Sequence, residues 1–314
     1  MENYDVIIKK WYKKLLLREP DSEGYEYFSS LFREAKINEE DFKNEIKKSD
    51  EYKKINIKIN DFDINFFEKS INSQNGEDGI INFIFSVIGT TNKFSVEIGC
   101  DNGEQCNTRF LLENGWTGIL IDNFSYQKNF QWIDPVSKPR KKFLMGGNFG
   151  IIKSLIPYFK KEFVTMENIN NILEKNNTPT QIDLLSIDID YNTFWIWKAI
   201  NKIRPRVVII EYNSQISHTE SKVVKYDPGY KYDWTNYFGG SLLAFVKLAK
   251  EKGYSLVGCD SSGINAIFID NDEIKKKKIK IKSVEENYRS PQFGDVWDGV
   301  PKGWPISNKN MDEY

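Results

Sequence analysis

Apolar positions along the chain follow two different periods, and the change between them divides it. Up to about residue 52 they recur at helical spacing. Ile8, Trp11, Tyr12, Leu15 and Leu16 share one face, Tyr25, Phe28, Leu31 and Phe32 a second, and Phe42 and Ile46 a third. Arg18-Glu-Pro-Asp21 stops the first helix, Asp21 or Ser22 caps the next, and Asn38 caps the third. Residues 53–66, where Ile, Asn, Lys and Asp alternate, read as a linker. Beyond them, short β-rich runs alternate with amphipathic segments. Phe94–Ile98, Thr117–Ile121, Lys142–Met145, Asp183–Ile189 and Arg206–Ile210 are predicted strands, with Gly146-Gly147-Asn148 as the turn after the third. Ile80–Ile88, Phe163–Leu173 with a cap at Thr165, the segment opening at Ile196, and Leu242–Lys252 are predicted helices. Tyr254–Gly258 and Ala266–Ile269, split by Ser-Ser-Gly263, form a closing hairpin.

Strand–helix alternation at these lengths predicts an α/β fold: a doubly wound, mainly parallel, Rossmann-like sheet with a small N-terminal all-α domain. The expected organisation is a helical docking module over 1–52, a linker over 53–66, the main domain over 67–270, and a basic segment with a tail over 271–314. Within that last part, Ile274–Lys282 reads as a solvated strand face, with an anionic carrier as the alternative use of its lysines.

Around Phe94 the pattern becomes chemical. The strand ends in Gly99-Cys-Asp-Asn-Gly103, and a helical pattern resumes after Asn107, so the turn aims amide groups at whatever sits in it. Gly99 and Gly103 allow a sharp turn and a close approach of backbone to ligand. The next strand ends on Asp122, followed by Asn123, where a carboxylate can accept both hydroxyls of a ribose. The glycine spacing is wider than the dinucleotide fingerprint. Asp101 and Glu97 would repel a pyrophosphate but attract an ammonium and a sulfonium, which favours S-adenosylmethionine (SAM) over NAD. A glycine turn also occurs in α/β proteins with no such ligand. Ser73-Gln-Asn-Gly-Glu-Asp78-Gly79 precedes the first long apolar helix. It reads either as an N-cap with acidic residues favouring the helix dipole, or as a motif whose Gln74 and Asp78 face the Gly99 turn and hold the cofactor's amino-acid end.

Two further strands carry acidic residues to their carboxyl ends: Asp188 and Asp190 on one, Glu211 and Asn213 on the other. Oxygen ligands gathered at one crevice suit Mg²⁺ or another divalent cation, which would orient two sugar hydroxyls and lower the pKa of one. Such residues also end strands simply as turns and caps. Asp188 and Asp190 lie two apart and share a face. His218, the only histidine, opens the aromatic insert Ser214–Gly240 and is the candidate general base. No G-x-S-x-G, P-loop or H-E-x-x-H motif is present.

Composition narrows the classes. Lys and Arg number 44 against 45 Asp and Glu, a net charge of −1, which argues against general nucleic-acid binding. No apolar run reaches membrane-spanning length, and no signal-peptide core precedes the first helix. Cys100, Cys106 and Cys259 form no C-x-x-C, so neither a disulfide framework nor a zinc site is expected, and a reducing cytoplasm is.

Two resemblances add to this reading. Trp11-Tyr12-x-x-Leu15-Leu16-x-Arg18-Glu-Pro-Asp21-x-x-Gly24, ending in Ser49-Asp-Glu-Tyr52, resembles a small helical domain of unknown function related to phycobilisome linkers. That domain is often attached to bacterial enzymes of surface-glycan synthesis and carries no chemistry; the module's own apolar faces, with no paired nucleophile and base, predict docking to a partner or a homodimer. The span from Ser73 to about Asp270 resembles the FkbM-like group of SAM-dependent methyltransferases. The matching pieces are Ser73-Gln-x-Gly-Glu-Asp-Gly79, Val96-Glu-Ile-Gly-x-x-x-Gly103, Asn107-Thr108, Leu112-x-x-x-Gly-Trp-x-Gly118, Leu184-Leu-Ser-Ile-Asp-Ile-Asp190, Val208-Ile-Ile-Glu-Tyr-Asn213, Tyr237-Phe-Gly-x-Ser241 and Gly253-Tyr-x-Leu-Val257. It implies a class I methyltransferase fold, O-methyl transfer onto glycans or glycosylated natural products, and SAM contacts from Glu97, Gly99 and Asp122. Similar sequences often have Asp-Gly where this one has Asp190-Tyr191. The expectation is therefore a cytoplasmic SAM-dependent O-methyltransferase acting on a sugar hydroxyl of a surface glycan, capsule precursor or nucleotide-linked sugar. An NAD-dependent sugar oxidoreductase or epimerase, and a non-catalytic scaffold of a glycan-synthesis complex, are the alternatives.

Overall fold

The computed structural model describes residues 4–123, 153–230, 233–294, 296–297 and 300–314, in two compact units, Met1–Phe66 and Phe67–Tyr314. The predicted strand Lys142–Met145 and its turn lie outside the described residues.

The first unit holds helices α1 (Tyr4–Trp11), α2 (Ser22–Arg33), α3 (Glu39–Lys48) and α4 (Asp50–Asn60). Its centre is Phe42, fully buried, with Phe28 and Phe32 packed edge-on at 4.7 and 5.5 Å, and with Ile8, Tyr12 and Ile46 buried nearby. Asp21 accepts from the Gly24 amide, and Asn38 with Asp41 completes a capping box. The predicted linker is not one: α4 covers most of it, and the unit extends to Phe66. The cause is legible afterwards. Tyr52, Ile55 and Ile59 recur at i, i+3 and i+7, Ile55 is buried, and Ser49 accepts from the Tyr52 amide as an N-cap. Ile57, largely exposed, is what made the segment look alternating.

In the second unit, α5 (Glu77–Ile88), β1 (Phe94–Ile98), α6 (Arg109–Glu113), β2 (Thr117–Asp122), β3 (Phe159–Lys161), α7 (Ile169–Lys175), β4 (Gln181–Ile187), α8 (Thr193–Ala199) and β5 (Arg204–Glu211) come first. A short β6 (Lys222–Val223), α9 (Leu242–Lys252), β7 (Tyr254–Cys259), β8 (Asn265–Asp270) and α10 (Asn271–Lys277) follow. The sheet has seven strands in the order β3-β2-β1-β4-β5-β8-β7. The pairings from β3 to β5 are parallel, and the β7–β8 hairpin closes the edge antiparallel to β5. Helices cover both faces, so β4 and β5 are apolar without alternation, with Leu184, Leu185, Ile187 and Val207–Ile210 wholly buried. Trp197, Phe194 and Phe245 press on one side of this core. At the amino end of β4, fully buried Asp183 accepts from the amides of Thr91, Asn92 and Lys93 and from Arg206 Nη1 at 2.8 Å, tying β4 and β5 to the entry of β1.

Two further differences from expectation are local. The helix predicted over Phe163–Leu173 begins only at Ile169, because Asn168 Oδ1 takes the Thr165 amide and holds a turn before it. The basic run near Ile274 is the last turn of α10 and the chain beyond it, not a strand: Asp270 caps the helix, and Lys275–Lys277 lie at its negative end. Among the described residues no helix is long and apolar enough to cross a membrane.

Candidate functional site

The strand order reverses at β1 and β4: from β1 the chain winds outward through β2 and β3, then returns to β4 on the other side. Ligands of open α/β sheets lie outside the carboxyl ends of the strands at such a point. Here the two strand ends are drawn together very tightly. Asp188 donates its amide to the Ile98 carbonyl at 2.9 Å, and Gly99, at φ +84°, lies so close that a Cβ would stand 1.5 Å from the Asp188 carbonyl oxygen. The close approach that Gly99 allows is, in this structure, that of the backbone just beyond β4. Asp122, half-buried at the end of β2, accepts from the Asp101 amide through Oδ2 at 2.8 Å, which fixes the carboxylate at the lip of the turn.

Asp188, Asp190 and Glu211 are brought together: one carboxylate oxygen of each lies within 4.8 Å of the others. Among the described residues no other three His, Cys, Asp or Glu side chains gather this closely. Solvent reaches the rim, since Asp190 is exposed, but protein packs closely around the floor. Loss of water there pushes Asp188 up to about 6, against a hydrogen bond with Glu211 and with the Glu97 charge adding. The protein packed around Asp190, then the charges of Asp188 and Asp122, raises its carboxyl too, although its outer side is open to solvent. Glu211 rises well above its ordinary range through burial and then its two neighbours, and its Oε2 is buried without a hydrogen-bond partner.

The remaining expected site residues are placed otherwise. Asn213 is fully buried, donates to the Asn236 and Phe238 carbonyls and accepts from the Gln215 amide, so it anchors the insert and is not offered to a cation. His218 stands outside the carboxylate cluster, its ring 5.4 Å from that of Tyr288. Asp78 is held by its own loop through Oδ2, which takes the amides of Ile71, Asn72 and Ser73 and the Ser73 hydroxyl, while its Oδ1 is buried without a partner. Gln74 does reach that loop, where it bonds Gln105. Glu97, 3% exposed, accepts from the amides of Asn107 and Thr108 and from the Thr108 hydroxyl, and burial pushes its carboxyl up. It shapes the loop from beneath and does not line it. Asn107 spans from that loop to Ser186 Oγ on β4 at 3.1 Å. Gly103, at φ +80°, is crowded by Leu155, and Asn123 is exposed just beyond β2.

Two residues escaped the sequence reading. Glu77, 1% exposed, accepts from the Asn75 amide and, through Oε1, from Asn265 Nδ2 at 2.7 Å. Asn265 opens β8, whose every residue is buried. A polar residue heading an otherwise apolar strand was the available signal. The neighbouring hairpin turn is held by Asp260, which accepts from the amides of Ser262, Ile264 and Asn265; burial and then Glu77 push it up to about 7.

Above the strand ends, Tyr191 stacks on Tyr230 at 3.7 Å, and its carbonyl accepts from Gly239. The tail folds back onto the insert: Gln215 bonds Lys302 and Trp304, and Asn236 bonds Pro305 and Ser307. Gln215, Asn236, Tyr237, Ser307 and Lys309 help to line a cavity of about 270 Å³ between them.

The class defined by these features is a mixed α/β protein with a mostly parallel, Rossmann-like sheet and an acidic crevice at its switch point. No protein-family model matches the chain, and no match is found among curated proteins.

Proposed function

We propose that the chain is a SAM-dependent O-methyltransferase of the class I, FkbM-like kind, acting on a sugar hydroxyl of a surface glycan, capsule precursor or nucleotide-linked sugar. The observation that carries this reading is the pairing, at one switch point, of Asp122 beside the Gly99 turn with the Asp188–Asp190–Glu211 cluster. The first suits a ribose, the second a cation and the hydroxyl it orients. The concentration of carboxylates disfavours the pyrophosphate of NAD and favours a sulfonium and an ammonium.

SAM, when bound, supplies a methyl group activated by its sulfonium. The chain's own part is to seat the acceptor and manage its proton. A divalent cation fits the oxygen-only donor set and the unpartnered Glu211 Oε2. Held by Asp188, Asp190 and Glu211, it would remove their mutual repulsion and ease loss of the hydroxyl proton. The hydroxyl proton would pass to a carboxylate of the cluster as oxygen takes the methyl group, and the carbon–sulfur pair would stay with the sulfur of S-adenosylhomocysteine. The insert, the tail and the aromatic stack at Tyr191 stand where an acceptor sugar would enter. Calorimetry with SAM and S-adenosylhomocysteine is the test; absence of binding of both at millimolar concentration would sink the reading.

A further inference from the structure

Glu211 and Asn265 are opposed residues of the antiparallel β5–β8 pair, so their side chains leave the same face of the sheet with Cβ atoms about 5 Å apart. Each carries a buried oxygen without a hydrogen-bond partner, Oε2 on Glu211 and Oδ1 on Asn265. Asn265 is only 3% exposed. Its amide cannot turn over at no cost, because Nδ2 donates to Glu77 Oε1 at 2.7 Å and a reversed amide would set carbonyl against carboxylate. Glu77 is itself fixed by the Asn75 amide and side chain, within the Ser73–Gly79 motif. The motif therefore holds one end of Asn265 and leaves the other, a carbonyl oxygen, facing away and unsatisfied. Native proteins leave a buried acceptor bare mostly where an ion, a water or a ligand completes it.

We propose that Asn265 Oδ1 joins Asp188, Asp190 and Glu211 as a neutral oxygen ligand of a hard divalent cation, with Glu77 as the residue that positions it. This rests on the cation reading given above. Three carboxylates already exceed the charge of such an ion, so a further ligand is best uncharged, and an amide carbonyl adds coordination without adding repulsion. It also gives the Ser73–Gly79 motif a role: its Glu77 acts on the cation through Asn265.

The test is Mn²⁺ binding to the full chain, followed by calorimetry and electron paramagnetic resonance, with thermal unfolding recorded alongside. Asn265→Leu is expected to weaken Mn²⁺ about tenfold or more, as loss of a ligand or its support commonly does. Glu77→Gln alone should do nearly the same, because a new amide donor invites Asn265 to turn its oxygen away from the cluster. The double exchange Glu77→Gln with Asn265→Asp restores a donor–acceptor pair and keeps an oxygen toward the ion, so affinity should recover. If Asn265→Leu does not fold, Glu77→Gln and the double exchange decide. Wild-type Mn²⁺ affinity in both single variants, whatever their melting temperatures, would make Asn265 a structural strut and overturn the proposal. Failure of the wild type to bind Mn²⁺ would overturn the cation reading with it. SAM calorimetry, run without metal, reports on methyl-donor binding separately.

Discussion

Gly99→Ala is the substitution whose effect can be worked out most fully from the geometry. Gly99 sits at φ +84°, where an L side chain costs about 1–2 kcal/mol. Its new Cβ would also stand 1.5 Å from the Asp188 carbonyl oxygen and 2.9 Å from Ile189 Cγ2. The first obstacle is backbone, so no rotamer change relieves it. The ends of β1 and β4 must part, and the bond from the Asp188 amide to Ile98 is lost or strained, about 0.5–1.5 kcal/mol more. Overpacking in a close-packed site adds about 1–3 kcal/mol. The expected total is about 3–6 kcal/mol, a fall in melting temperature of roughly 6–24 °C for a unit of this size. Gly115→Ala is the control, since it has nearly the same φ, +85°, with nothing within 4 Å of the added Cβ. It should cost about 1–2 kcal/mol, from φ alone. Urea unfolding with equal m-values would read both on one scale. If the two variants lose the same stability, the close approach of β1 and β4 at the switch point is not as tight as described.

Three other outcomes follow from the same geometry. For Asp183, burial alone would raise the carboxyl, but Arg206 and the Thr91 and Lys93 amides hold it below its ordinary value. Its contribution is therefore full above the unfolded carboxyl value near 4 and fades as pH falls through the lower folded one; Asp183→Asn should cost about 3–5 kcal/mol at neutral pH and flatten the acid limb of a stability–pH curve. His218→Ala is expected to leave methyl transfer within about threefold, because the ring stands apart from the carboxylates, whereas loss of a general base would cost roughly 10²-fold or more in a rate assay. Removal of Met1–Phe66 should leave SAM affinity within about twofold by calorimetry, since that unit has its own core around Phe42.

What could be read from the sequence was whatever depends on neighbours along the chain. The runs at Phe94, Thr117, Asp183 and Arg206 are strands within two residues of expectation, because continuous β-rich apolar stretches bounded by glycine or acidic residues leave few alternatives. Period failed where two patterns overlapped: the Ile55-Ile57-Ile59 alternation hid a helix that buries only one of its faces. The lysines after Ile274 gave no sign of their helix, since its signal was the Asp270 cap at the end of the preceding strand.

The acidic residues make the harder case, because the sequence places many of them near strand ends and helix starts and does not separate those that brace their own loops from those that gather. Glu97 and Asp260 are held by backbone amides of their own loops, and Asp78 is held through Oδ2 alone, a local act that needs only a turn of suitable shape. Asp188, Asp190 and Glu211 are gathered instead by strands that end side by side, and Glu211 keeps one buried oxygen without a partner. A carboxylate at a strand end is thus structural when its loop curls back over it and available when the loop runs on. That distinction lies in the backbone path after the strand, set here by Gly99 yielding to Asp188 and by Asn213 drawing the insert away through Asn236 and Phe238. Glu77 shows the same logic at one remove. Asn75 of its own loop bonds both oxygens, Oε1 also accepts from Asn265 on a strand 188 residues later in sequence, and only the folded sheet brings that amide beside Glu211.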